Sequence, residues 1–572
     1  MQIRAVIGIL AGLGVPAATS WSAQLGDEDI ASGRIPAFGD TIILSDFARC
    51  EPSTALSESS QKGKWWLRPH TTEKGSGRIL CVEQRDMDDP ESCIAPALTY
   101  PLDLKGAYDI WVAVYRPVFG GGIDIKLTTD RTYTHMDPWE EAHNDWTPPA
   151  KVGNLVECFY KTAKLRGQDI HLRQPHGTYQ SFWWGLCNAH VAYVKLVRRW
   201  PREVRGQQER LEGLQRKGVV IDRDGFSHLW NWGVEDIDCV LGQVEQMQYG
   251  NVEAVNWCIG GSMATNFPHP MTGRIVTHNR LGDRRATRVH QSFIDRGIDI
   301  LQVLVERCRE IGIKIYASHR ANVHYYPSKA WDEHPDWRLK NSRGLDYANP
   351  SARGYYRDML LYIAEHYDID GLTIDFTRHR RHFNPGQEDE FGHMNTYLRE
   401  LRAGLDEIGA KKGRRLVLNA SFTAGVWYDS WTPAQQGLDV HTWVEEGFVD
   451  CIMPVGRDHM KYINMCAGKA TKCYPRVTYQ STFDGNAAGK NIHDPTPNED
   501  KKDRPDNFHL GPWDYIKGVK AWYDAGADGV MLFNLPDAWT TLRPLPYPGL
   551  LAEQMQSKDL YGRREGPAVT WQ

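Results

Sequence analysis

Beyond residue 23 this 572-residue chain has no apolar run long enough to span a bilayer. It has no basic surplus either. Its 67 Lys and Arg stand against 72 Asp and Glu, a formal net charge of −5, which excludes a basic footprint for nucleic acid and a polybasic membrane anchor. None of its 11 cysteines forms a CxxC pair, so a ribbon-type metal site is excluded. No Gly-rich phosphate loop opens a predicted helix, which argues against a doubly wound nucleotide-binding sheet. Neither a repeat period nor a low-complexity tract is visible.

What is present starts with "MQIRAVIGILAGLGVPAATSWSAQ". Arg4 supplies a positive start, residues 5–15 an apolar stretch, and Ala18-Thr19-Ser20 a small-residue cleavage site. The pattern predicts a signal peptide over residues 1–23 and a secreted or periplasmic location. Disulfides are permitted there, and Cys81 with Cys93 and Cys466 with Cys473 are the bridge candidates, buried thiols being the alternative. The chain is also rich in aromatics, with 21 Trp and 25 Tyr. Any single one more often fills a core, but such a surplus also suits sugars, whose C–H faces stack on aromatic rings.

Residues 24–200 carry strand signals and little helical periodicity. "GAYDIWVAVYRP" sets Tyr108, Ile110, Val112 and Val114 against Trp111, Ala113 and Tyr115, and "HVAYVKLVRR" alternates likewise. Short alternating strands between Gly- and Pro-rich turns predict a β-sandwich, similar in general architecture to carbohydrate-binding modules. A charged linker or bridging helix follows at 201–217.

From residue 218 to about 560 strands and helices take turns. Asp299 and Gln302 predict a capping box, and Gly312 closes that helix. Asn349-Pro350 opens another helix, which leads into "GLTID" at 371–375. Eight such strands predict an α/β fold of the (β/α)₈ TIM-barrel type.

In such a barrel the chemistry sits at the C-terminal ends of the strands. Those ends offer Asp222, Trp257 beside Cys258, His319, Arg320, Asn322 just beyond, Asp375, Asn419, Asp458, Asn534 and Asp537. "YDIDGLTIDFTRHRRHF" at 367–383 is the richest: Asp375 ends an apolar run, with Arg378 and His379 close behind as counterions or substrate ligands. Glycoside hydrolysis needs a second carboxyl group about 5–5.5 Å away for retention or ~6.5–9.5 Å for inversion. Asp458, in "MPVGRDHM", is the best-placed partner by sequence, with Asp537 and Asp222 as rivals. The His pairs of "HRANVH" and "HRRH" lie on no predicted helix and lack a completing carboxylate, so neither a metal nor another cofactor is expected.

"DRGIDILQVLVERCREIGIKIYASHRAN", "LDYANPSARGYYRDMLLYIAEHYDIDGLTIDFTRH" and "WVEEGFVDCIMP" resemble the glycoside hydrolase-like 10 proteins over residues 217–540. The resemblance implies a barrel, a glycosidase activity and, through the motif Asp370, Gly371, Asp375, a catalytic role for Asp375. Here "FTRHRRHF" replaces the Tyr-rich segment that usually follows in that group, so the sugar is not implied. The reading is a glycoside hydrolase acting on a polysaccharide or oligosaccharide. Asp375 would be nucleophile or base and Asp458 general acid; Arg378, His379, His319 and Arg320 would orient a substrate that their charge suggests is anionic. A non-catalytic carbohydrate-binding barrel is the alternative, with a metal-dependent hydrolase behind it.

Overall fold

A computed structural model describes residues 41–82, 93–115, 122–136, 153–175, 188–225, 236–261, 264–274, 281–322, 329–340, 342, 344–377, 381–424, 432–456, 458–477, 512–534 and 543–572. The expected signal peptide and three expected site residues, Arg378, His379 and Asp537, lie outside them.

The first half builds two sheets around one apolar core. The larger has nine strands, among them Trp65–Thr72, Gly75–Val82, Ala107–Tyr115, Asn154–Lys164 and Ala189–Arg199. The smaller has four: Leu98–Tyr100, Ile123–Leu127, Thr134–Met136 and Ile170–Arg173. Successive side chains on a strand face opposite ways, and Tyr108, Ile110, Val112 and Val114 meet Leu98, Ile125 and Leu172 in the shared core. The opposite parity puts Ala113 and Tyr115 in a second cluster with Trp66 and Trp571.

Trp571 belongs to a tail that sequence patterning does not assign. Arg563–Ala568 runs antiparallel to Asn154–Lys164, and Thr570–Trp571 pairs antiparallel with Trp65–Thr72. The end of the chain thus joins two strands of the first sheet. Trp571 packs edge-on against Tyr115 at 4.8 Å, and the Arg68 guanidinium lies 3.8 Å from its ring.

Helix Pro201–Glu212 connects the sheets to the barrel, where the linker was expected. Leu211 anchors it against Tyr547 and Leu550. The barrel strands are β1 (Gly218–Arg223), β2 (Ala254–Gly261), β3 (Lys314–Arg320), β4 (Gly371–Asp375), β5 (Val417–Ala424), β6 (Cys451–Gly456), β7 (Lys472–Cys473) and β8 (Gly529–Phe533). The helices following them are α1 (Ile237–Glu245), α2 (Ile300–Ile311), α3 (Pro350–His366), α4 (Glu390–Lys412), α5 (Val440–Glu446), α6 (His459–Cys466), α7 (Pro512–Asp524) and α8 (Pro548–Ser557). Strands β1 to β7 pair in parallel and in order, and β8 returns to β1. Extended chain beyond β7 nearly closes the ring: Met531 N–H donates to the Pro475 carbonyl at 3.1 Å and Val477 N–H to the Met531 carbonyl at 2.9 Å.

Local sequence explains the helix ends. Asn349 accepts from Ser351 N–H at 2.9 Å with Pro350 in the first turn, and Gly312 ends α2 at φ 74°, where a side chain would be strained. The capping box at Asp299 is only half formed. Asp299 accepts from Gln302 N–H at 3.2 Å, but the Gln302 amide donates to Glu306 one turn on, at 2.7 Å, rather than back to the cap. All ten described cysteines are buried and none forms a disulfide, so the proposed Cys81–Cys93 and Cys466–Cys473 bridges are not made; these thiols fill core positions instead.

Ending the chain at Gly562 is expected to lower the melting temperature of the two-sheet unit and leave the barrel transition in place. Trp571→Ala alone should cost that unit about 1–2 kcal/mol. Calorimetry resolving the two transitions checks this, and an unmoved sheet transition would show the tail to be dispensable.

Candidate active site

Strand parity sorts the barrel residues. Val219, Ile221, Val255, Trp257, Ile315, Ala317, Leu372 and Ile374 face the helices. The alternate positions face the barrel interior, whose floor is an apolar plug that includes Val220, Ala254, Tyr316, Met453, Tyr474 and Met531. A polar layer lies above it. Thr373 Oγ1 donates to Asn256 Oδ1 at 2.8 Å, and the Asn419 amide donates to Thr373 Oγ1 at 3.3 Å. The next inward residues are Asp222 on β1, Cys258 on β2, Arg320 on β3, Asp375 on β4 and, past β7, Arg476.

Asp375 is 9% exposed and held from two sides. Its Oδ1 accepts from Thr377 N–H at 2.9 Å and from the Thr377 hydroxyl, a turn in which the side chain binds its own backbone two residues on. Register explains the other side: Arg320 is paired directly across from Asp375, and its Nε lies 4.0 Å from Oδ2. Both side chains of this ion pair are only 12% exposed, which strengthens it.

Asp222 has the contrasting environment. Burial disfavours its charged form, and the Asp375 carboxylate adds repulsion, so its carboxyl is pushed up to about 7 despite the opposing Arg476 and Arg320 guanidiniums. Asp222 is paired with Phe533 on β8, and Arg476 lies over that ring at 4.2 Å. Burial also raises the Cys258 thiol to about 11, with Asp222 and Asp375 adding to it against Arg320, so this sulfur stays protonated at neutral pH.

The other expected site residues are dispersed. Asp458 is exposed, at the start of α6 beyond the end of β6, and its N–H donates to the Ala424 carbonyl at 3.2 Å. Among the described residues, the carboxyl group that interacts with Asp375 is Asp222, one of the two rivals; the other, Asp537, lies outside them. Trp257 and His319 sit beside inward residues but have the outward parity. Trp257 joins the helix-side core, and His319 packs on Tyr356 at 5.7 Å, where burial pushes its imidazole down to about 3. Asn322 is buried between loops, donating to the Arg381 carbonyl and accepting from Leu345 N–H at 3.0 Å. Asn419 belongs to the polar layer, and Asn534 reaches the β1 end. Sequence reasoning missed Arg476, Thr377 and Asp224; counting alternate residues back from Asp222 and Asp375 is the signal that separates lining from packing positions. Among the described residues, no three His, Cys, Asp or Glu side chains converge as a metal-ligand set, and no helix is long and apolar enough to cross a membrane.

No protein-family model and no curated protein matches the chain. Solved structures do, in outline. An α-galactosidase from Thermus thermophilus, in complex with p-nitrophenyl α-D-galactopyranoside, has 11% identity and a TM-score of 0.33, over 86% of this chain and 94% of its own. The galactosidase domain of an α-galactosidase–sucrose kinase has 12% identity and a TM-score of 0.32, over 84% of this chain. This chain spans 64% of that protein's length. A chitinase from Rhizomucor miehei has 13% identity and a TM-score of 0.31, over 58% of this chain and 100% of its own. All three are glycoside hydrolases. At scores this low, function has to be read from the residues of this chain.

The raised Asp222 carboxyl makes stability depend on pH in a definite direction. The folded chain keeps this proton to about 7, whereas the unfolded chain loses it near the ordinary value of 3.8. Between those values the folded state binds more protons, so Asp222 makes stability fall as pH rises. Asp222→Asn is therefore expected to melt above wild type at pH 8, with the gain shrinking toward pH 4. An equal gain at both pH values would refute the raised carboxyl.

Proposed function

We propose that this chain is an exported glycoside hydrolase of the family 10-like barrel type, with Asp222 as proton donor and Asp375 as the ionised carboxylate. One observation carries the reading: two inward carboxyl groups share the C-terminal mouth of a barrel, Asp222 held to its proton by burial and by its neighbour, Asp375 bound by an arginine and a threonine turn. A group that keeps its proton to about 7 can protonate the glycosidic oxygen as the C–O bond breaks. The Arg320- and Thr377-bound carboxylate of Asp375 is placed to stabilise an oxocarbenium-like centre, either by attacking it or by taking a proton from the attacking water. Water supplies the hydroxyl that replaces the leaving sugar, and the proton it yields restores the donor.

The two-sheet unit is read as an accessory β-sandwich for glycan binding, and the apolar segment at residues 5–15 as an export signal. An acidic sugar is favoured by Arg378 and His379, which follow Asp375 in sequence.

Asp375→Asn should lower kcat at least ~10³-fold with glycan binding retained. Asp222→Asn should lower it by ~10²–10⁴-fold on unactivated glycosides and far less on aryl glycosides whose leaving groups need no proton. Assays of both variants on natural and aryl substrates decide the assignment. A uniform loss for Asp222→Asn across leaving groups removes the proton-donor role. Absence of turnover by the wild type across a broad glycan panel would instead favour a binding protein.

A further inference from the structure

The β1 end carries a third carboxylate, Asp224, to which the hydrolytic reading assigns no part. Asp224 is two residues beyond Asp222, just past the end of β1, and Arg223 between them is buried. Its position is unusually well fixed. Asn534, just past β8, takes φ 40°, donates its N–H to the Asp222 carbonyl at 2.8 Å and turns its amide onto Asp224. That amide accepts from Asp224 N–H at 3.0 Å and donates to Asp224 Oδ2 at 2.9 Å, clamping backbone and carboxylate together.

The strand is also pinned on the β2 side. The Asn266 amide donates to the carbonyls of Gly225 at 3.0 Å and Cys258 at 2.7 Å. Gly225 has φ 67° and lies so close to Cys258 that an added Cβ would sit 2.1 Å from its carbonyl oxygen. A surface aspartate with no task needs no such scaffold.

We propose that Asp224, clamped by the same Asn534 that binds the Asp222 carbonyl, is a positioning residue that acts through Asp222, fixing the end of β1 and a carboxylate beside the proton donor. This rests on Asp222 being that donor. Among the described residues, the charged and titratable groups facing Asp222 are Asp224 just past its own strand, Cys258 on β2, Arg320 on β3, Asp375 on β4 and Arg476 past β7. The two arginines favour its ionisation and the two aspartates oppose it, Asp224 among them.

Asp224→Asn keeps the shape and removes the charge, so Asp222 should lose its proton at lower pH. The alkaline limb of the kcat/KM profile is expected to move down, with the acid limb unmoved. Asn534→Gly tolerates the left-handed backbone and releases only the clamp, and should move the same limb in the same direction by less. Asp224→Glu should restore most of it. An alkaline limb that stays in place while kcat falls, or one that moves up, overturns the proposal. Carboxyl-carbon NMR titration of Asp222 in the full chain, wild type against Asp224→Asn, gives a readout that needs no substrate. A downward shift there supports the charge role even if no glycoside is hydrolysed, in which case the hydrolase reading alone fails; an unshifted titration sinks the positioning role even in an active enzyme.

Discussion

Two neighbouring carboxyl groups, withdrawn from solvent, are costly to charge together without a counterion, and the barrel mouth is organised around that restriction. Arg320 is set opposite Asp375 by strand register, and the Thr377 turn occupies the remaining oxygen of the same carboxylate. Asp222 receives less compensation and answers the repulsion by keeping its proton. The buried Thr373–Asn256–Asn419 layer and the apolar plug below it form a base of low polarity, which keeps the mutual repulsion strong.

Much of the architecture was legible. The alternation in "GAYDIWVAVYRP" matches the residues that enter the shared core, and the barrel strands run where apolar runs end in polar residues. The site was legible only in part, because a strand end names two neighbours and parity admits one. Trp257 and His319 look as functional in sequence as Asp222 and Arg320, yet the pleat turns them into the helix layer. Arg476 was hidden for a different reason. β7 begins at Lys472, ahead of the "RVTYQST" run that marks it in sequence, so an arginine that seemed to start a strand lies level with the mouth. Asp458 illustrates the opposite error, since nearness to a strand end in sequence left it at an exposed helix start.

At Asp375 two separate lines stand side by side: the expectation drawn from the family 10-like resemblance and the chain's own geometry. They differ in kind, one resting on a motif and the other on an ion pair and a turn. The choice of partner carboxylate came from the geometry alone, because Asp222 lies three strands away from Asp375 and no local pattern links them.

The tail at Arg563–Ala568 and Thr570–Trp571 has a consequence for biogenesis. A ribosome makes the strands of the first sheet early, and domains made early usually finish folding before the rest of the chain appears. Here the strand that lines Asn154–Lys164 is translated only after the whole barrel. Until then the first sheet waits with an open edge and an unfilled place for Trp571. A chain cut between the barrel and Arg563 would carry an exposed β-edge, a natural mark for proteolysis.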